Sequence, residues 1–110
     1  MVKVTYNIKN NEKIAIITID NNSISGLEAI EFTNAISTID KDTKDVVIDI
    51  NNVSFIASPG IGMILNAHIV LKRNNVSLKI INVADNIRKL FVMTRIDYII
   101  PVEYKRENEW

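Results

Sequence analysis

The sequence predicts an α/β fold, a mixed β-sheet of about five strands covered by three to four helices, and three observations point to it. Strand-like and helix-like periods alternate after residue 20, the pattern of a sheet with helices packed against it. Val46-Val-Ile-Asp-Ile50 is apolar without alternation, as expected of a strand covered on both faces. Asn pairs at Asn10-Asn11, Asn21-Asn22, Asn51-Asn52 and Asn74-Asn75 fall between the periodic segments, and Asn tolerates turn conformations. No repeat, low-complexity tract or Pro/Gly/Ser linker interrupts the 110 residues, so one domain over 1–110 is expected.

Each element follows from its residues. Val2–Lys9 and Lys13–Ile19 form an opening hairpin across Asn10-Asn11. A helix over about Leu27–Ile39 carries Ala29, Phe32, Ile36 and Ile39 on one face at helical spacing. Strand Val46–Ile50 then passes through a short loop to Ser58, where a helix begins with Pro59-Gly-Ile-Gly62 and runs to about Arg73. Ser is a preferred N-cap, contributing about 1 kcal/mol relative to Ala, and Pro suits the next position. Leu78–Val83 is a strand, Ala84–Thr94 a helix with Ile87, Leu90 and Phe91 inward, and Tyr98–Tyr104 a last short strand.

The second helix is apolar around too much of its circumference. Ile61, Ile64, Leu65, His68 and Leu71 make the natural core stripe, and Met63, Ala67 and Val70 a second stripe that should look outward. Either a neighbouring helix covers that stripe, or it is an exposed docking strip with an adaptable Met. Gly60 and Gly62 allow a partner or a neighbouring strand to approach the helix closely.

Composition excludes several functions. Thirteen basic and thirteen acidic residues balance, which argues against general attraction to nucleic acid or an anionic membrane. Without cysteine there are no disulfides or thiolate metal sites, which suits a cytoplasmic setting. No signal peptide opens the chain, and no apolar run nears the ~20 residues of a membrane span. His68, the single histidine, has no His or Cys to share a metal and is expected to be a packed imidazole. No catalytic acid/base pair, dinucleotide fingerprint or phosphate loop can be read, so neither catalytic residues nor a cofactor are expected, and a small-molecule binder or enzyme ranks last. Asp49 is placed to accept hydrogen bonds from the loop Asn51–Ser54.

The run Val46-Val-Ile-Asp-Ile-Asn-Asn-Val-Ser-Phe-Ile-Ala-Ser-Pro-Gly-Ile-Gly62 resembles the STAS domain of bacterial anti-sigma-factor antagonists. Their pattern is a hydrophobic strand, Asp-Leu, a short turn, then Val-x-Phe-hydrophobic-Asp-Ser-[Ser/Thr/Ala]-Gly-Leu-Gly. Ser77-Leu-Lys-Ile-Ile-Asn-Val83 and Ile87-Arg-Lys-Leu-Phe-Val-Met-Thr94 are similar to the family's next strand and helix, so the resemblance spans residues 2–104 and is strongest over 46–101. It implies an anti-sigma-factor antagonist, a regulator of transcription and not an enzyme. Such a protein is phosphorylated on the motif serine, here Ser58, by a serine protein kinase that is also the anti-sigma factor, and a serine phosphatase can reverse the mark. The contact centre would comprise Ala57, Ser58, Pro59, Gly60 and Gly62, extended by Met63, Ala67 and Val70.

Three departures mark the motif. Ala57 stands where the family has Asp, Pro59 follows the serine, and Ser25 in Asn22-Ser-Ile-Ser-Gly26 stands where an N-terminal Asp is expected. Ala57 fits either neutral drift or loss of phosphorylation with binding kept. The alternative function is therefore a non-phosphorylated STAS interaction module in a signalling assembly or transporter complex. A phosphate on Ser58 would draw on the N–H groups of Gly60 and Ile61, because Pro59 has none. Arg95 replaces the family's helix-ending Gly, a left-handed position. The family's further helix after the last strand is expected to be truncated or absent, leaving the charged Lys105–Trp110 tail, with Trp110 packed back or frayed.

Overall fold

The computed structural model describes residues 1–106; Glu107–Trp110, and with them the expectation for Trp110, lie outside the described residues. Asn10 and Asn11 take φ of 54° and 66°, the backbone that a two-residue hairpin loop needs to match strand twist. They join β1 (Val2–Lys9) to β2 (Glu12–Ile19), antiparallel from Val2 opposite Ile19 to Lys9 opposite Glu12. The chain continues through β3 (Ser23–Ile24), α1 (Gly26–Thr38), β4 (Thr43–Asp49), β5 (Phe55–Ile56), α2 (Ser58–Arg73), β6 (Ser77–Val83), α3 (Asp85–Met93), α4 (Ile96–Ile99) and β7 (Val102–Tyr104). The main sheet has the order β1-β2-β4-β6-β7 and is parallel beyond its first pair, while β3 and β5 form a separate parallel ribbon. The mixed sheet and the interior positions of β4 and β6 are as the sequence predicts.

One face of the sheet is sealed. Ala15 and Ile17 of β2 lie opposite Val46 and Ile48 of β4, which lie opposite Leu78 and Ile80 of β6, all buried. Phe32 of α1 and Met63, Ile64, Ala67 and Leu71 of α2 complete this core. On the other face Ile14, Ile16, Asp45, Asp49 and Ile81 are half-buried and Ser77 and Lys79 exposed. The expectation that β4 is covered on both faces is thus corrected: Val47 is buried by its neighbours in the middle of an open face. An unbroken apolar run reflects a central strand here, not two layers of helix.

The C-terminal region also differs from the sequence reading. Arg95 is left-handed (φ 62°, ψ 18°), as its replacement of Gly implies, at a cost of roughly 1 kcal/mol. It turns the chain straight into the helical turn of α4, so Tyr98 and Ile99 are helical and the last strand is confined to Val102–Tyr104. Ile100, held extended before Pro101, makes the switch (φ −123°, ψ 132°).

Candidate functional site

The β3–β5 ribbon sets the site. Ser23 pairs with Phe55 and Ile24 with Ile56, and the Ala57 N–H donates to the Ile24 carbonyl at 2.9 Å. Because the two strands are parallel and each leads directly into a helix, α1 and α2 start side by side. Gly60 makes this possible: a Cβ there would lie 2.6 Å from Ile56 Cγ2 and 2.8 Å from Ile24 Cγ2, whereas a Cβ on Gly62 or Gly26 would meet nothing within 4 Å. Gly60 therefore serves the neighbouring strands, and Gly62 faces open space.

The two helix starts are finished differently. At α1 the Ser25 N–H and hydroxyl both donate to Glu28 Oε1, at 2.9 Å and 2.7 Å, forming a capping box. The Ser25 hydroxyl, and then its N–H, hold the buried Glu28 carboxyl below the usual carboxylate range. At α2 the N-cap is Ala57, extended at φ −84° and ψ 168° with no side-chain cap. Its carbonyl accepts from Gly60 N–H at 2.8 Å and Ile61 N–H at 3.3 Å. Ser58 is therefore the first helical residue and not the cap, a correction of one position. The bond from Ala57 N–H to Ile24 holds the chain extended through Ala57, so the helix cannot start its turn earlier. The Gly60 and Ile61 donors expected for a phosphate are already taken by Ala57. The position where the family's Asp is expected is the cap itself.

Around this start the predicted site residues separate into two groups. Ser58, Pro59 and Gly62 are exposed, Ala57 is half-buried, and Gly60 is buried against the ribbon. Met63 and Ala67, expected to look outward, are 5% and 2% exposed, while Ile61, Leu65, His68 and Val70 are half-buried. Helix α1 packs across α2, so Met63 and Ala67 of the expected docking strip are core and only Val70 stays half-buried. The structure instead exposes Leu27, Ile30 and Phe55, at 65%, 62% and 61%. Ile30 shares with Gly26, Ala29, Pro59, Gly62 and Met63 a shallow groove of about 550 Å³ between the two helices. The sequence carries the signal for these exposed side chains, since Leu27 and Ile30 fall off the Ala29–Phe32 face and Phe55 alternates with inward Ile56. No acidic residue lies in the first turn of α2.

Beside the ribbon, Asp49 accepts from Asn51 N–H and from Asn82 Nδ2, both at 3.0 Å, so it ties the loop as expected and also the end of β6. Asn86 Nδ2 donates to the Ser54 carbonyl, fixing α3 to the segment that leads into Phe55. Among the described residues, no group of three or more His, Cys, Asp or Glu side chains could hold a metal, and no helix is long and apolar enough to cross a membrane.

A strand-turn-helix whose first helical residue is an exposed serine, set beside a second helix start, can be compared with known families. The model of the STAS domain matches residues 5–108. This chain belongs to the STAS domain family. An anti-sigma-B factor antagonist of Staphylococcus aureus is 31% identical over 67 residues, which cover 61% of this STAS chain and 62% of that relative, less than two thirds of its length. A crystal structure of an anti-sigma factor antagonist from Mycobacterium paratuberculosis matches with a TM-score of 0.69 at 16% identity, over 94% of this chain and 86% of that one. The Bacillus cell fate determinant SpoIIAA in its phosphorylated form matches with a TM-score of 0.68 at 16% identity, over 96% and 93%. At such identities the structural matches speak for the shared fold.

Proposed function

We propose that this STAS chain, read as one domain, is an anti-sigma-factor antagonist that binds a serine-kinase anti-sigma factor and so releases a sigma factor. Ser58 is the phosphoacceptor in this reading, a serine phosphatase resets it, and ATP and magnesium belong to the kinase. The protein is a binder and a substrate, not an enzyme, and acts in the cytoplasm. The observation that carries the reading is the exposed Ser58 at the start of α2, with exposed Leu27, Ile30 and Phe55 on the flanking elements. A partner shaped for these apolar side chains and a neutral hydroxyl would be repelled by a phosphate carrying about −1.5 to −2 charge. The N-terminus of α2, with no acidic residue in its first turn, favours that negative charge on Ser58 itself.

A second reading, the non-phosphorylated interaction module in a signalling assembly or transporter complex, is favoured by the Ala57 carbonyl, which already engages the Gly60 and Ile61 donors. Intact-mass measurement after incubation with a serine-kinase anti-sigma factor and ATP separates the two. The switch requires a single added phosphate, its absence in Ser58→Ala with partner affinity kept, and weakened binding by Ser58→Glu. Ala57→Asp, restoring the family carboxylate, should raise the rate. No phosphate on either the parent or Ala57→Asp, from a kinase active on its own antagonist, leaves the second reading.

A further inference from the structure

Strand β1 ends the main sheet, and among the described residues no strand pairs with its outer side. Its backbone polarity follows from one bond: Asp20 N–H donates to the Met1 carbonyl at 2.8 Å, so Met1 opposite Asp20 is a hydrogen-bonded pair. Hydrogen-bonded and non-bonded pairs alternate along an antiparallel ladder, so Lys3, Thr5, Asn7 and Lys9 also turn their peptide groups toward β2. Val2, Val4, Tyr6 and Ile8 turn theirs outward. Natural edges are usually blunted by bulges, proline, shortness, inward charges or lysines; β1 is eight residues long with a regular ladder and no proline, and its Lys3 and Lys9 stand on the face away from the helices. Ile8, on the helix-covered side, is 66% exposed.

We infer that β1 pairs antiparallel with β1 of a second copy of this chain about a twofold axis through Thr5, joining the two sheets edge to edge. In this register Val2 faces Ile8 of the other copy and Val4 faces Tyr6, so every outward N–H and carbonyl of these four residues finds a partner. The same pairs place apolar side chains side by side and cover Ile8. Lys3 falls opposite Asn7 and Thr5 opposite itself. Sliding the register one way sets Lys3 against Lys9 and leaves Val2 unpaired; sliding it the other way leaves Ile8 unpaired. Like charges directly opposite are unfavourable, and the Thr5-centred register keeps the side-chain ammonium groups apart while pairing the most groups; the Met1 terminal ammonium, which donates to Asn21 Oδ1, falls opposite Lys9. Tyr6 does not obstruct the edge, because its hydroxyl accepts from Asp40 N–H at 3.0 Å and Lys13 Nζ sits 5.5 Å from its ring centre. An eight-residue ladder is small beside the roughly 1,200–2,000 Å² of a stable complex, so the association is weak and concentration-dependent.

Sedimentation equilibrium of the whole chain over a wide concentration series should show monomer and dimer in exchange. Thr5→Lys, at an exposed site, puts two ammonium groups face to face on the axis and should raise the dimer dissociation constant about fivefold, less at high salt. The chain has no cysteine, which permits a sharper test. Thr5→Cys brings its own copy to a Cα separation of about 4.5 Å, inside disulfide range, and should oxidise to a covalent dimer. Asn7→Cys, equally exposed but roughly 14 Å from its copy, should not. A monomer at every concentration, no weakening by Thr5→Lys, or cross-linking of Asn7→Cys as readily as Thr5→Cys would each overturn the pairing. None of these outcomes depends on phosphorylation of Ser58.

Discussion

Helices α1 and α2 leave the same ribbon side by side, yet one start is closed and the other open. Ser25 and Glu28 tie off α1 with side chains, and the carboxylate is buried in the process. At α2 the cap is a backbone carbonyl alone, and the nearest hydroxyl, Ser58, has no capping duty and stands exposed. The closed start is a joint of the fold. The open one keeps a hydroxyl at the surface of a rigid element, the arrangement on which the proposed switch rests.

The sharpest way to break this comparison is Gly60→Ala, which drives a methyl into Ile56 and Ile24. It should cost roughly 1–3 kcal/mol in a urea titration despite the better helix propensity of Ala. Stability at or above the parent's would mean that α2 does not sit this close to the ribbon. Next, Ser25→Ala should lose about 1 kcal/mol at neutral pH by removing the α1 cap. Because Glu28 is depressed from its ordinary 4.5, its contribution is complete above that pH and fades as pH falls through the lower folded value. Acid titration of stability should therefore be flatter below about pH 4.5 in Ser25→Ala than in the parent. Ala57→Asp should close the open start and gain up to about 1 kcal/mol in thermal melts; no gain would show that α2 cannot accept a side-chain cap. The smallest effect belongs to Ser58→Ala, expected within about 0.5 kcal/mol, since Ser58 is not the cap. A loss near a full cap's worth would restore the capping role to its hydroxyl.

The elements with long periods were legible in the sequence. The hairpin at Asn10-Asn11, the interior strands around Val46 and Leu78, and the three long helices follow from apolar spacing and turn chemistry. The ribbon was not, because Ser23–Ile24 and Phe55–Ile56 are two residues each and show no period. By spacing alone a Ser-Pro start looks like a cap at Ser58, but Ile24 holds Ala57 extended and so moves the cap one residue back. The α2 stripes failed for a different reason. Two apolar stripes on one helix are equivalent by spacing, and only the path of α1 decides that Met63 and Ala67 are inside. The exposure of Leu27, Ile30 and Phe55 follows from their spacing off the inward faces, but which exposed apolar residues flank Ser58 depends on the ribbon that sets the two helix starts side by side.

Strand β2 carries a consequence for the chain while it is still folding. Its run Ile14-Ala-Ile-Ile-Thr-Ile19 can pair with β1 early, because a two-residue loop joins them and hairpins form within microseconds. Its other side must wait for β4, which arrives only after the whole of α1 has been crossed. During that delay the hairpin presents a β-branched strand, apolar on both sides and lacking proline, with one backbone edge unpaired. Such an intermediate invites self-association when chains are crowded. Variants that slow the delivery of β4 to this edge are therefore expected to lower the yield of native protein as chain concentration rises, measured as soluble fraction after refolding.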